Sequence, residues 1–135
     1  MATLRLEIVT PERTAYSEDV EMVTLPGSEG VLGIYPNHVP LLTTLNPGEL
    51  RVLKGGKESF LAVGEGFVEI KGDAVSVLTD MALEPSVIDE NAAQEAVARA
   101  QAAMKEDHGS EEVAVIQASL QKALAQLHVK RRHRG

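Results

Sequence analysis

Four histidines are the first residues to test for chemistry, and their placement assembles no active site. His38 lies between Pro36 and Pro40 in a turn-rich loop, His108 in the helix-breaking run Asp107-His108-Gly109-Ser110, and His128 and His133 in a basic end. These positions supply no set of ligands that would hold a catalytic metal. The chain has no cysteine, so it has neither a thiol nucleophile nor a Cys-based zinc site nor a disulfide. Gly27, Gly30 and Gly33 form a Gly-x-x-Gly-x-x-Gly run without the Lys and Ser/Thr that a phosphate loop requires, and no serine occupies a nucleophile elbow. Gly64-Glu65-Gly66 resembles a ligand cradle, but no helix start follows to supply an anion site. It reads as a strand bend where a neighbouring backbone comes close. Enzymatic chemistry is therefore not expected. What remains is recognition. Ser28, Glu29, Gly30, Val31, Gly33, Tyr35, Pro36 and His38 fall in one run of breakers and exposed types, which reads as a contact loop for a protein partner on a β scaffold. Pro36 and Pro40 disfavour helical geometry at Tyr35 and Val39, so the end of that run is expected to be extended.

The scaffold follows from period. Leu4, Leu6 and Ile8 alternate with Arg5, Glu7 and Val9, a half-buried strand closed by Thr10-Pro11-Glu12-Arg13. Asp19 to Leu25 reads as a second strand ending at Pro26-Gly27. Glu49 to Leu53 and Ser59 to Val63 flank Lys54-Gly55-Gly56-Lys57, whose paired glycines signal a two-residue hairpin turn. Phe67 to Lys71 and Ala74 to Thr79 follow, with Gly72-Asp73 between them. Many short strands with turn chemistry between them predict an antiparallel β-sandwich over residues 1–84.

The period then changes. Residues 85–90, with Pro85 in Glu84-Pro85-Ser86, read as a hinge, and residues 91–135 as an antiparallel two-helix hairpin with a basic tail. Small apolar positions 92/93, 96/97, 100 and 103/104 recur at helical spacing, with Asp89 and Glu90 at the amino end and Lys105 at the other. Gly109 is expected near a C-cap and Ser110 as the next N-cap. Val113, Ile116, Leu120, Leu124 and Leu127 make one stripe on the second helix, with Glu111 and Glu112 at its start and Lys130, Arg131 and Arg132 at its end, as the helix dipole prefers. A two-helix hairpin has no core of its own, so it must lean on the sandwich or on a partner.

Charge sharpens the division. Met1 to Ser86 carries six basic against thirteen acidic residues, whereas Val87 to Gly135 carries seven of each, so the whole net charge of −7 belongs to the first part. The acidic body and the absence of an aromatic platform, with two Tyr, two Phe and no Trp, argue against nucleic acid. No run approaches the ~20 apolar residues of a membrane span, and no secretory signal is visible, so membrane association is expected only through a partner.

The run from Gly27 to Leu42, together with Asn46-Pro47-Gly48-Glu49-Leu50-Arg51, Gly64 to Glu69, Val77-Leu78-Thr79-Asp80, Gln117-Ala118-Ser119 and Ala125-Gln126-Leu127, resembles the epsilon subunit of bacterial rotary ATP synthases, called delta in mitochondria. The likeness covers the whole chain. It implies a non-catalytic central-stalk rotor subunit at the cytoplasmic face of the bacterial inner membrane. The sandwich would contact the gamma subunit and the ring of c subunits through the residues 28–38 named above. The hairpin would restrain ATP hydrolysis, with Lys130, Arg131, Arg132 and Arg134 touching the alpha/beta catalytic head. Some members of that family bind ATP through an Ile/Leu-Asp-x-x-Arg-Ala motif; Ile88-Asp89-Glu90-Asn91-Ala92-Ala93 matches it except that Ala92 replaces the arginine. A weak ATP contact through Ile88, Asp89 and Arg99, and no other cofactor, is the corresponding expectation. The alternatives are a nucleotide-sensing module and an unrelated adaptor domain.

Overall fold

A computed structural model describes residues 2–37, 39–106 and 108–133. The strands are β1 Leu4–Val9, β2 Thr14–Val20, β3 Met22–Gly27, β4 Gly30–Ile34, β5 Leu41–Leu45, β6 Gly48–Lys54, β7 Lys57–Val63, β8 Gly66–Lys71, β9 Ala74–Thr79 and β10 Ala82–Leu83. A 3-10 turn at Pro85–Val87 leads into α1 Glu90–Met104 and α2 Ser110–Arg132. The strands run in the order β10-β7-β6-β3-β5-β8-β9-β1-β2, with β4 paired to β3. The order closes on itself: the end of β2 returns to the β6–β7 turn, where Glu18 binds Lys54 and Glu21 accepts the Gly56 N–H. The result is a barrel-like sandwich followed by two helices. Every strand pair is antiparallel except β1 with β9.

Alternation does what it predicts on β1, where Leu4, Leu6 and Ile8 are buried and Arg5 and Glu7 exposed. These side chains join Val20, Leu25, Ile34, Leu50, Val63 and Ile70 in the sandwich core. Gly55 and Gly56 take φ of 59° and 76°, the double positive φ that a two-residue turn between Lys54 and Lys57 demands. Close approach explains the other glycine pair. A Cβ on Gly66 would lie 1.8 Å from the Leu78 carbonyl oxygen, and one on Gly64 would lie 1.9 Å from Asp80 Oδ1.

Several expectations are corrected. Asp19 to Leu25 is not one strand: the chain changes partner at Glu21, whose N–H donates to the Leu53 carbonyl, and Thr14–Val20 already pairs with β1. Gly30–Ile34 of the contact run forms β4, which makes a hairpin with β3 about Ser28-Glu29 as its two-residue turn. Its far end bends instead of extending, since Asn37 adopts φ 66° and its N–H donates to Asp73 Oδ1 at 2.7 Å. Ala82–Leu83, at the end of the sandwich, adds a short edge strand to β7 that alternation does not single out. Ser110 is the first residue of α2 and Gly109 its N-cap, so glycine here starts a helix and does not end one.

Candidate functional site

Two surfaces meet the requirements set by the sequence, one at the β3–β4 hairpin and one where the helices join the sandwich. In the first, the hairpin register Gly27↔Gly30 to Val23↔Ile34 buries Ile34 and turns Ser28, Glu29, Gly30, Val31 and Gly33 outward. Gly30 has φ 124°, a value that side-chain-bearing residues rarely adopt, and so permits the tight reversal. Val31, Tyr35, Val39, Leu41 and Leu42 are exposed, Val31 at 73% and Leu42 at 70%. Five large apolar side chains exposed within twelve residues form the kind of patch that interaction surfaces present. Pro36 is half-buried, and His38 lies outside the described residues.

The second surface is the joint. Antiparallel α1 and α2 meet through small residues, with Ala93 and Ala100 of α1 buried and Ala96, Val97 and Ala103 half-buried. The first half of α2 follows the predicted stripe, Val113, Ile116 and Leu120 being half-buried, whereas Leu124 is exposed. Its second half is covered from two sides: Ala123 and Leu127 are buried on one face, Ala125 and Val129 on another. Val129 is fully buried with Ala62, Met81 and Ile88, and Phe60 and Leu83 pack against this cluster.

Polar contacts ring that cluster. Lys122 pairs with Asp80 at 3.3 Å, and Gln126 Nε2 donates to Met81 Sδ at 3.1 Å. Lys130 Nζ donates to the Pro85 carbonyl at 2.9 Å, and Arg131 meets Glu90 at 3.5 Å. Arg132 meets Glu49 at 3.0 Å; His133 also bonds Glu49, and its ring stacks on Phe60 with centroids 3.5 Å apart. In this conformation the tail cations Lys130, Arg131 and Arg132 serve the chain's own sandwich and linker; Arg134 lies outside the described residues. Nearby, burial first and then Glu18 and Glu84 raise the Tyr16 hydroxyl above its usual pKa, keeping it neutral. The two surfaces share a cleft of about 710 Å³, lined by Val31 on one side and Arg132 and His128 on the other.

The ATP-motif residues do not converge. Ile88 is packed in the Val129 cluster, and Asp89 caps α1 by accepting the Ala92 N–H at 3.0 Å. Arg99 is exposed on α1. None of Glu49, Phe60, Met81 and Val129, which build the joint, is among the site residues that the sequence singles out, although Glu49 falls in the run Asn46-Pro47-Gly48-Glu49-Leu50-Arg51 that carries part of the resemblance. Alternation along β6 does place Glu49 on the face opposite the buried Leu50, yet it cannot say that Arg132, 83 residues away at the end of α2, meets it.

Residues 3–85 match the family described as ATP synthase, Delta/Epsilon chain, beta-sandwich domain, and residues 87–131 match its long alpha-helix domain. The chain is 40% identical over 132 residues to an ATP synthase epsilon chain of Herpetosiphon aurantiacus, covering 98% of this chain and 97% of that one. It is 42% identical over 135 residues to an ATP synthase epsilon chain of Alkalilimnicola ehrlichii, covering 99% and 96%. Among solved structures, a chain of the Euglena gracilis mitochondrial ATP synthase, OSCP/F1/c-ring, superposes with a TM-score of 0.80 at 21% identity, over 98% of this chain and 83% of that one. One from the Tetrahymena thermophila mitochondrial ATP synthase central stalk/c-ring gives 0.56 at 16% identity, over 64% and 70%. These two likenesses concern the fold.

Proposed function

The chain belongs to the ATP synthase delta/epsilon family, and from that premise we propose that it is the central-stalk rotor subunit of a proton-translocating ATP synthase, peripheral on the cytoplasmic face of a bacterial inner membrane. The match of both domain descriptions, in order and nearly end to end, carries this reading. The exposed apolar run from Val31 to Leu42 supplies the surface that a ring of c subunits and the gamma shaft would cover. Neither helix among the described residues is long and apolar enough to cross a membrane, so attachment runs through those partners. The chain supplies no catalytic group; its part is to transmit rotation.

The hairpin is the regulatory element of this reading. Residues 85–90 act as its hinge, because the linker there is short and is followed by a helix that begins with its own cap. In the docked form Lys130, Arg131 and Arg132 are occupied inside the chain. Contact with the catalytic head therefore requires those bonds to be exchanged for bonds to acidic residues of the head, which gives a two-state element. The test has two arms in assembled enzyme. Glu29→Cys and Val31→Cys should cross-link to the c or gamma subunits; failure of both overturns the interface. Truncation after Ser86 should raise ATP hydrolysis relative to the full chain; an unchanged rate overturns the inhibitory role while leaving the rotor assignment standing.

A further inference from the structure

The connection between the two helices holds a histidine whose surroundings call for a proton. The His108 side chain is only 16% exposed. Its Nδ1 lies 2.8 Å from Glu112 Oε2, and its Nε2 lies 2.7 Å from the Ala103 carbonyl oxygen. Glu106 Oε2 stands 3.6 Å from the same Nε2. A carbonyl and an ionised carboxylate only accept, and a neutral imidazole has one N–H and one lone pair. In that form one ring nitrogen must turn a lone pair toward an acceptor. Exchanging the tautomer moves the mismatch to the other nitrogen without removing it. The imidazolium donates to both.

We propose that His108 is a proton-operated clamp on the helical hairpin: charged, it ties the last turn of α1, through the Ala103 carbonyl, to the first turn of α2, through Glu112; neutral, it must release one of the two. The helix ends favour the same arrangement, since the carboxyl end of α1 attracts a cation and the amino end of α2 attracts the Glu112 carboxylate. Among the described residues, Glu106 from the connection and Glu112 from α2 are the charged groups facing the ring, and both favour the cation. Accordingly the His108 pKa is raised above the ordinary 6.5, first by the Glu112 hydrogen bond and then by the Ala103 carbonyl, with partial burial opposing. A folded-state value above the unfolded one stabilises the folded form fully below the unfolded value, and that stabilisation is lost as pH rises through the folded value. Acid therefore closes the tip of the hairpin and alkali loosens it. This inference concerns the isolated chain and does not depend on the rotor assignment.

The test uses the full chain. The His108 ring is titrated by NMR, with His128 as an internal comparison, and amide hydrogen exchange across residues 102–113 is followed at about pH 5.5 and about pH 8.5, corrected for intrinsic exchange. His108 should titrate above the ordinary histidine range, and protection at the tip should fall roughly two- to fivefold on going alkaline, the scale of an exposed charged pair. Protection in the sandwich should be unchanged, and His108→Gln should abolish the pH response at the tip. Titration at or below the ordinary range, a wild-type tip indifferent to pH, or an undiminished response in His108→Gln would each overturn the clamp.

Discussion

The sandwich and the hairpin are built on opposite economies of contact. Leu6, Ile8, Val23, Leu25, Ile34, Leu50 and Val52 are fully enclosed by other strands, so the sandwich holds its own core. The buried positions of the hairpin are four alanines, Leu127 and Val129, and Val129 is enclosed by the sandwich and linker rather than by α1 alone. Large side chains each contribute about 1.5–3 kcal/mol when fully buried, whereas an alanine seam contributes far less. The sandwich is thus the fixed body. The hairpin rests on that body through a small apolar cluster and a ring of polar contacts.

The largest expected effect comes from breaking the fixed side of this comparison. Gly66→Ala would drive a Cβ into the Leu78 carbonyl, a backbone atom between paired strands that cannot swing away. Overpacking of this kind costs about 1–3 kcal/mol and sometimes more. Gly64→Ala meets the Asp80 side chain first, which can rotate at the expense of its Lys122 pair. Thermal unfolding followed by circular dichroism should therefore show a lower melting temperature for Gly66→Ala than for Gly64→Ala. Equal losses would mean that the close approach at β9 is not the constraint.

Much of this division was legible beforehand, for reasons particular residues make plain. Leu4, Leu6 and Ile8 announced their strand because period two needs no partner to be read, and Gly55-Gly56 announced a turn because few other residues accept positive φ twice. Gly64-Glu65-Gly66 is readable as a close approach for a different reason, the missing Cβ: at Gly66 the neighbour is the Leu78 backbone, as expected, and at Gly64 it is the Asp80 side chain. Thr14–Val20 escaped because Tyr16 and Glu18 are half-buried, one by the hydrophobic core and one by Lys54, which blurs alternation. Residues 28–38 stand out by type and resemblance, but that Gly30–Ile34 forms one arm of a β-hairpin depends on pairing with β3. The joint was invisible, since Glu49 and His133 are 84 positions apart and no periodicity links them.

A middle-sized effect would break the other side of the comparison. Val129→Ala removes two methyl groups from the cluster with Ala62, Met81 and Ile88 while leaving the sandwich core untouched. At ~0.8 kcal/mol per methylene plus a cavity term, docking of the hairpin should weaken by about 1.5–2.5 kcal/mol. Hydrogen exchange on the full chain should show the increase in α2 and not in β1, β8 or β9. Exchange rising equally in all of them would show that hairpin and sandwich open as one cooperative unit, contrary to the comparison.

The smallest expected effect separates the charged ring of the joint from its apolar centre. Glu49 receives Arg132 at 3.0 Å and also His133, and its side chain is only 16% exposed while that of Arg132 is 58% exposed. Glu49→Gln preserves shape and removes the charge. One partner is largely solvated, so the loss should stay near the ~0.2–1 kcal/mol of exposed pairs, which is up to about fivefold in the docking equilibrium. Salt provides the second axis, since the Debye length shrinks from ~10 Å at 0.1 M to ~3 Å at 1 M. A difference between the native chain and Glu49→Gln that is clear at low salt and shrinks at high salt would assign part of the docking to charge. A difference that persists at high salt would instead point to the shape of the contact, the His133 ring held on Phe60 by its bond to Glu49. If Glu49→Gln docks as tightly as the native chain at low salt while Val129→Ala does not, the ring is passive. The apolar cluster would then hold the hairpin down alone, and the basic tail would leave the sandwich at almost no cost once a competing acidic surface was offered.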